Sequence, residues 1–318
     1  MSLQIAIPTY DRAASLEIAL RDLIPQLANR PVRILVVDNC SPGDLEGEMR
    51  MRLSDLDLKC LFFHRNAVNI GLYANILRCF ELSEDPYLWI VSDDDRIRPD
   101  AVANIIDCIE KGEFDYLMAN DSRRPTLVKN GYGDGLEGLV RYFSGTASFL
   151  PTSVYRRDHF IPFLRIGYQY LSSGIPHLAL VMASAAKGLR WKTIDSVIVD
   201  FVPTRDGSYQ RSVFYDGFPM LNHLAVDRAV RRELSQGIWD DLMGWLGPWG
   251  IVRSLAHGEF SYAAGSLRMP FRMVAILIAV SDGKIRWSWW RWLVPFLASF
   301  WPGSIRHNSV TNESINRN

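Results

Sequence analysis

Cysteine is scarce in this chain of 318 residues. There are four, Cys40, Cys60, Cys79 and Cys108, and none lies beyond Cys108. No two form a C-x-x-C pair, so zinc-knuckle spacing is absent. The density is also too low for a secreted disulfide framework. The expectation is four reduced, mostly buried thiols in a cytoplasmic protein. Excess charge is missing too, with 35 basic and 35 acidic side chains. Without a basic footprint, a general nucleic-acid binder is excluded. No uninterrupted apolar run reaches about 18 residues, so no membrane-spanning helix is expected. No basic segment precedes the first apolar stretch, and a signal peptide is not expected. No internal repeat is present. What the chain does have is globular: 48% hydrophobic and 22% charged residues, which excludes a mostly disordered polymer.

The first 120 residues alternate between two periodicities. Gln4–Ile7 is a short strand that Pro8 is expected to end. Arg12 to Leu27 carries Leu16, Leu20, Leu23 and Leu27 at helical spacing, with Asp11 as its expected N-cap. Arg33–Val37 is a nearly continuous apolar strand closing at Asp38, the pattern of a strand buried on both faces. A weaker helix follows over Leu45–Leu53, then a strand over Lys59–His64 and a helix over Gly71–Leu82. Tyr87–Val91 is the next strand and runs into Ser92-Asp93-Asp94-Asp95. Pro99 starts a helix through Ile109, and Phe114–Ala119 is a fifth strand. Strands and helices alternating at this interval imply a parallel sheet with helices on both faces. In such sheets ligands sit beyond the carboxyl ends of the strands. Thr9 with Asp11, Asp38 with Asn39, and the Asp93–Asp95 run all occupy such ends and should share one crevice.

Beyond Ser122 the pattern loosens. Gly131, Gly133, Gly135 and Gly138 mark expected loops. Phe149–Tyr155 and Trp191–Phe201 read as strands and His177–Lys187 as a helix. From Phe218 onward the chain is helical and rich in tryptophan. The expected division is a domain over 1–217 and a helical extension over 218–318.

Three adjacent aspartates after a buried strand repel one another, and burial raises the pKa of some unless a cation is present. A hard divalent ion such as Mg²⁺ or Mn²⁺ relieves that penalty, typically through one or two carboxylates plus substrate phosphates. The same run also reads as a solvated acidic turn at a helix start. Arg12 is placed to meet a phosphate, Asp38 to accept from a base or to cap a turn, and Gly71 to allow close backbone approach.

Together these segments carry a resemblance. Ile5-Ala6-Ile7-Pro8-Thr9-Tyr10-Asp11-Arg12 resembles the opening of family 2 glycosyltransferases, which use the GT-A nucleotide-diphospho-sugar fold. Ile34–Ser41 resembles that family's second strand and its turn. Asn69-Ile70-Gly71 with Ala74-Asn75 resembles its N-x-G…A-N segment. Ser92-Asp93-Asp94-Asp95 followed by Pro99-Asp100 resembles its metal motif. One position departs: registered on Pro99, the first acid of the usual D-x-D is Ser92 here. The resemblance implies a GT-A α/β domain plus a helical extension. It also implies a nucleotide-diphosphate sugar donor of hexosyl or deoxyhexosyl type, and a glycan or lipid-linked acceptor. The implied reaction is inverting transfer with Mg²⁺ or Mn²⁺, in bacterial surface-polysaccharide assembly. By resemblance Pro8, Thr9, Tyr10, Arg12, Asp38, Asn69, Gly71 and Asp93 surround the nucleotide. Asp94 and Asp95 hold the metal, Asp94 first.

The acceptor's general base is less determined. Many family members carry a Glu-Asp pair where Ile175-Pro176-His177 stands. His177 is one candidate, with a structural hydrogen bond as its other reading; Asp121 is the rival, with a turn residue as its other reading. Arg205, in the polar loop Thr204–Ser208, is a candidate for the acceptor or pyrophosphate side. Residues 269–318 hold six Lys or Arg against two acids around Trp287, Trp289, Trp290 and Trp292. That segment reads either as peripheral attachment to the cytoplasmic face of a membrane or as a packed helix pair or dimer contact. Two other functions stay open: an inactive nucleotide-sugar-binding scaffold, favoured by Ser92, and a nucleotidyltransferase, disfavoured by a first turn without glycine.

Overall fold

A computed structural model describes residues 2–112, 114–203 and parts of 217–241. The chain divides into two units, Met1–Gly265 and Ser266–Asn318, and every described residue belongs to the first. The tryptophan-rich segment 269–318 and Arg205 lie outside the described residues.

The amino-terminal half is built from β1 (Leu3–Thr9), α1 (Ala13–Leu23), β2 (Val32–Asp38), α2 (Leu45–Arg52), β3 (Leu61–Arg65), α3 (Leu72–Leu82), β4 (Tyr87–Ile90), β5 (Arg96–Ile97), α4 (Ala101–Lys111) and β6 (Tyr116–Asp121). Strands β3, β2, β1 and β4 run parallel in that order. Leu3, Ile5 and Ile7 of β1 share one core with the apolar faces of α1, α2 and α4. Helix α3 packs against β1, β2 and β4 outside that core, so helices cover both faces. The α1 spacing works as expected: Leu16, Ala19, Leu20 and Leu23 are its buried stripe.

Several local expectations are corrected. Pro8 lies inside β1 rather than ending it. The carbonyl of Ala6 accepts from the Val91 N–H on the β4 side. Pro8, two residues on, faces that side after the pairing with β4 has stopped, so its missing N–H costs no ladder bond. Asp11 does not cap α1. Arg12 holds the cap position, and Asp11 is left-handed at φ 54° with its N–H donating to Ser41 Oγ at 2.8 Å. Helix α1 also stops at Leu23, with a single tighter turn over Ile24–Leu27.

The sheet is mixed rather than purely parallel. The second half contributes β7 (Gly131–Asp134), β8 (Ser153–Arg156), α5 (Arg157–Phe160), α6 (Leu164–Gln169), α7 (Pro176–Ser184), β9 (Arg190–Asp200) and α8 (Phe218–Leu221). Strand β8 inserts antiparallel between β4 and β6, while β6 and β9 pair in parallel. The strand order across the sheet is β3-β2-β1-β4-β8-β6-β9-β5. Gly131 and Gly133 are in a strand, not a loop: β7 pairs antiparallel with β9. The ring of Trp191 lies so close that a Cβ on Gly133 would meet it at 2.5 Å, which only glycine permits. The four cysteines are free, Cys79 and Cys108 buried, Cys40 and Cys60 half-buried. No helix among the described residues is long and apolar enough to cross a membrane.

Candidate active site

Strands β1, β2, β4 and β6 end on the same edge of the sheet, and a cavity of about 410 Å³ opens there. Two turns shape its first wall. After β2, Asp38 is buried and spends both oxygens locally. Oδ1 accepts the Ser41 N–H at 2.8 Å and Oδ2 accepts Arg65 Nη1 at 2.9 Å. Asp38 therefore builds the turn and is not on the cavity wall. Cys40 adopts φ 67° in the same turn. Left-handed Asp11 and Cys40 thus sit on the two adjoining loops that Ser41 ties together, a clustering of strain typical of binding sites.

Amides form the floor beside this turn. Asn39 Nδ2 donates to Asn69 Oδ1 at 2.7 Å, and Asn39 Oδ1 accepts from Asn66 Nδ2 and from the Ile70 N–H, each at 3.0 Å. Asn66 Nδ2 also donates to Asn75 Oδ1 at 2.8 Å, and Asn75 Nδ2 reaches the Val37 carbonyl at 3.0 Å. Every buried amide is satisfied, and the loop 66–71 is held against β2. Gly71 follows at φ 84° with open space where a Cβ would stand, so backbone faces the cavity at the start of α3. Tyr10 and Asn69 line the same region.

The acidic run closes β4. Thr9 Oγ1 donates to Asp93 Oδ2 at 2.6 Å, both groups buried. Arg12 Nη1 reaches Asp94 Oδ2 at 2.6 Å and Asp93 Oδ1 at 3.4 Å. The Val202 N–H donates to Asp95 Oδ1 at 3.0 Å. Burial pushes the Asp93 carboxyl up to about 6 and the Asp95 carboxyl up to about 7. The Thr9 hydroxyl offsets part of the first shift and the Val202 N–H part of the second, while neighbouring Asp94 adds to both. Burial, more than repulsion from Asp94, is what holds both carboxyls above their ordinary range.

That donor set fits a hard divalent cation. All the oxygens are carboxylate, two of the carboxyls are held above their usual range, and a diphosphate would complete the shell. Among the described residues no group of three or more His, Cys, Asp or Glu side chains is placed to hold a metal ion.

The far wall joins His177 and Arg123. His177 is buried, its Nε2 lies 3.1 Å from the Ala147 carbonyl, and its Nδ1 has no hydrogen-bond partner among the described residues. Burial drives its pKa down to about 4, so the ring is neutral near pH 7. Asp121 is fully buried and occupied. It accepts the Arg123 N–H at 2.8 Å, Nε at 2.9 Å and Nη2 at 3.2 Å, and it is not on the cavity wall. Arg123 is on that wall, between Phe149 and Phe201. Sequence reading passed over all three of these residues. The one available signal was that Arg123 stands two residues beyond Asp121, itself at a strand's carboxyl end. The cavity thus brings Pro8, Thr9, Tyr10, Arg12, Asn69 and Gly71 together with Asp93, Asp94, Asp95 and His177.

Comparison with known proteins gives the family and the fold. The family described as Glycosyl transferase family 2 matches residues 4–165. Abequosyltransferase RfbV of Salmonella typhimurium (strain LT2) is 30% identical over 104 residues, 32% of this chain and 31% of that protein. The match therefore spans about a third of that relative's length. S. aureus TarS 1-349 in complex with UDP superposes with a TM-score of 0.62 at 15% identity, over 94% of this chain and 87% of that one. The mannosyltransferase PcManGT from Pyrobaculum calidifontis, in complex with GDP-Man and Mn²⁺, gives a TM-score of 0.56 at 16% identity, over 93% and 85%.

Proposed function

The chain belongs to glycosyl transferase family 2, and from that premise we propose that it moves a sugar from a nucleoside diphosphate sugar to a hydroxyl of a glycan or lipid-linked acceptor, in surface-polysaccharide assembly. One observation carries the reading: Arg12, Thr9 and three consecutive aspartates meet in a single cavity at the carboxyl ends of the sheet's parallel strands. Such an edge is where an α/β sheet presents ligands.

In this reading the nucleoside lies over the β1 and β2 ends, against Tyr10, Asn69 and the open backbone at Gly71. Asp94 and Asp95 would hold Mg²⁺ or Mn²⁺, which would neutralise charge on the departing diphosphate. Arg12 already pairs with Asp94 and Asp93, so it fixes their carboxylates in place and adds a positive charge beside the phosphates. Thr9 holds Asp93 as a structural strut rather than leaving it to reach the nucleoside.

Transfer proceeds by one displacement. The acceptor oxygen forms a bond to the anomeric carbon as the bond from that carbon to the phosphate oxygen breaks, its electron pair leaving with the diphosphate. The configuration inverts. The hydroxyl proton passes to His177 rather than to Asp121, because Asp121 is consumed by Arg123. His177 lines the cavity, and its buried Nδ1 is the one ring nitrogen left as an acceptor once Nε2–H donates to Ala147, so a shift of the ring must bring it to the acceptor hydroxyl. Its weak basicity demands that proton transfer accompany bond formation, when the attacking hydroxyl has become acidic.

Calorimetric titration with UDP, GDP and dTDP, each with Mn²⁺ or Mg²⁺, tests the reading. Uptake of one diphosphate only with the cation present is the expected result, and Asp94→Ala is expected to lose transfer by at least 10²-fold. No uptake of any of the three, or unchanged transfer in Asp94→Ala, would overturn it. His177→Ala is expected to retain donor binding and lose transfer.

A further inference from the structure

The far wall contains a side chain more tightly constrained than the turn around it requires. The Arg123 guanidinium carbon lies 4.4 Å from the ring centre of Phe149 and 4.4 Å from that of Phe201. The two rings meet edge to face at 5.6 Å. One edge of the guanidinium is held by Asp121 through Nε and Nη2. Asp121 has no exposure to solvent, so this is a buried carboxylate with a purpose-built partner. Nη1 has no hydrogen-bond partner among the described residues, and the side chain is on the cavity wall. The same segment that supplies Phe201 supplies the Val202 N–H to Asp95.

We propose that Arg123 is the residue that reads the transferred sugar, its free edge donating hydrogen bonds to the sugar's hydroxyl oxygens. The proposal rests on the nucleotide-sugar reading above and adds the sugar subsite to it. Placement supports it first. In the sheet β6 lies two strand positions past β4, on the side away from β1 and β2. Strand β6 ends between β4 and β5, the two strands that the acidic run joins, so Arg123 stands beside the Asp95 end of that run. A donor whose nucleoside covers the β1 and β2 ends and whose phosphates meet Asp94 and Asp95 extends its sugar toward β6. Charge supports it second. Asp121 offsets much of the charge of Arg123, so the pair draws a phosphate less than an unpaired arginine would. What it presents is a planar, oriented set of N–H donors, suited to neutral hydroxyls. Rigidity supports it third. Two rings and a carboxylate remove the rotamer freedom that an arginine otherwise loses on binding.

The experiment compares each nucleoside diphosphate with its own hexose conjugate. UDP, GDP and dTDP are titrated with Mn²⁺ against UDP-, GDP- and dTDP-hexoses, on wild type and Arg123→Lys. Lysine keeps the charge and loses the planar fork. The expected result is diphosphate affinity within about twofold of wild type, with nucleotide-sugar affinity down tenfold or more and KM for the donor raised in step, the size of one or two lost charge-assisted hydrogen bonds. Phe201→Leu leaves Arg123 and Asp121 in place and removes one ring; a smaller loss in the same sense is expected. It also serves if Arg123→Lys does not fold. Parallel loss of diphosphate and nucleotide-sugar affinity, or loss of neither, overturns the sugar subsite and leaves the functional reading standing. Wild type that takes up no diphosphate overturns the functional reading, and this proposal with it.

Discussion

Replacing His177 by Asn tests how the far wall is built, because the cost of burying an imidazole can be separated from everything else by pH. His177 is 2% exposed, and burial takes its pKa from 6.5 down to about 4, with the Ala147 carbonyl pulling it slightly back up. The unfolded chain therefore binds a proton at this side chain near pH 6.5, whereas the folded chain does so only near pH 4. Between those values acid favours the unfolded state. The stabilising contribution of the neutral ring is complete above about pH 6.5 and is lost progressively as pH falls to about 4. At 1.36 kcal/mol per pH unit the loss totals ~3 kcal/mol. His64 and His159 are also lowered by burial, and Asp93 and Asp95 are raised, which acts in the opposite sense. All four remain in the variant and cancel in the difference. Urea denaturation of wild type and His177→Asn across pH 4–7.5 measures it. Asn carries a fixed penalty from lost packing, but the gap between the two proteins should change by ~3 kcal/mol over the range, in favour of the variant at low pH. A gap independent of pH would refute the buried, neutral imidazole, and with it the acceptor atom assigned to Nδ1.

Thr9→Val is expected to destabilise the protein by ~1–3 kcal/mol in urea titration, since it strips the short hydroxyl bond from buried Asp93 and leaves that carboxyl under-satisfied. Gly133→Ala is expected to cost ~1–3 kcal/mol and lower Tm, because the new methyl would press on the Trp191 ring. Gly71→Ala is expected to cost ~1 kcal/mol or more at a backbone angle of φ 84° while meeting no neighbouring protein atom, a loss seen in urea titration without nucleotide, and to weaken nucleotide uptake as well, because the new methyl stands in the cavity. Flotation with anionic vesicles, with and without residues 269–318, tests the peripheral-membrane reading of the tryptophan-rich segment; equal flotation of both would count against it.

Much of the amino-terminal half was legible because its signals are local. The run Arg33–Val37 is apolar on both faces, so it must be a covered strand, and α1 and α3 repeat their apolar residues at helical spacing. The acidic run stood out because like charges are rarely gathered without a reason. Other features were hidden for an equally physical cause. Strand β8 enters antiparallel between β4 and β6, and no spacing within Ser153–Arg156 announces which neighbours it will have. The glycines at 131 and 133 read as loop residues until Trp191, sixty positions away, lies across them. Asp11 looked like a cap because residue preference cannot see Ser41, which holds its N–H from another turn.

Residue order by itself settled the strand and helix alternation, the polar strand ends, and the Asp93–Asp95 run, since each depends on neighbours a few positions apart. Only the tertiary structure decided which of those polar groups face the cavity. Asp38 and Asp121 have the same chemistry as Asp94 and similar places at strand ends, yet Arg65 and Arg123 consume them. Both oxygens of Asp38 and of Asp121 are taken and neither residue lines the cavity, whereas Asp94 lines it even while paired with Arg12; which carboxylates face the cavity depends on distances between segments that sequence spacing does not contain.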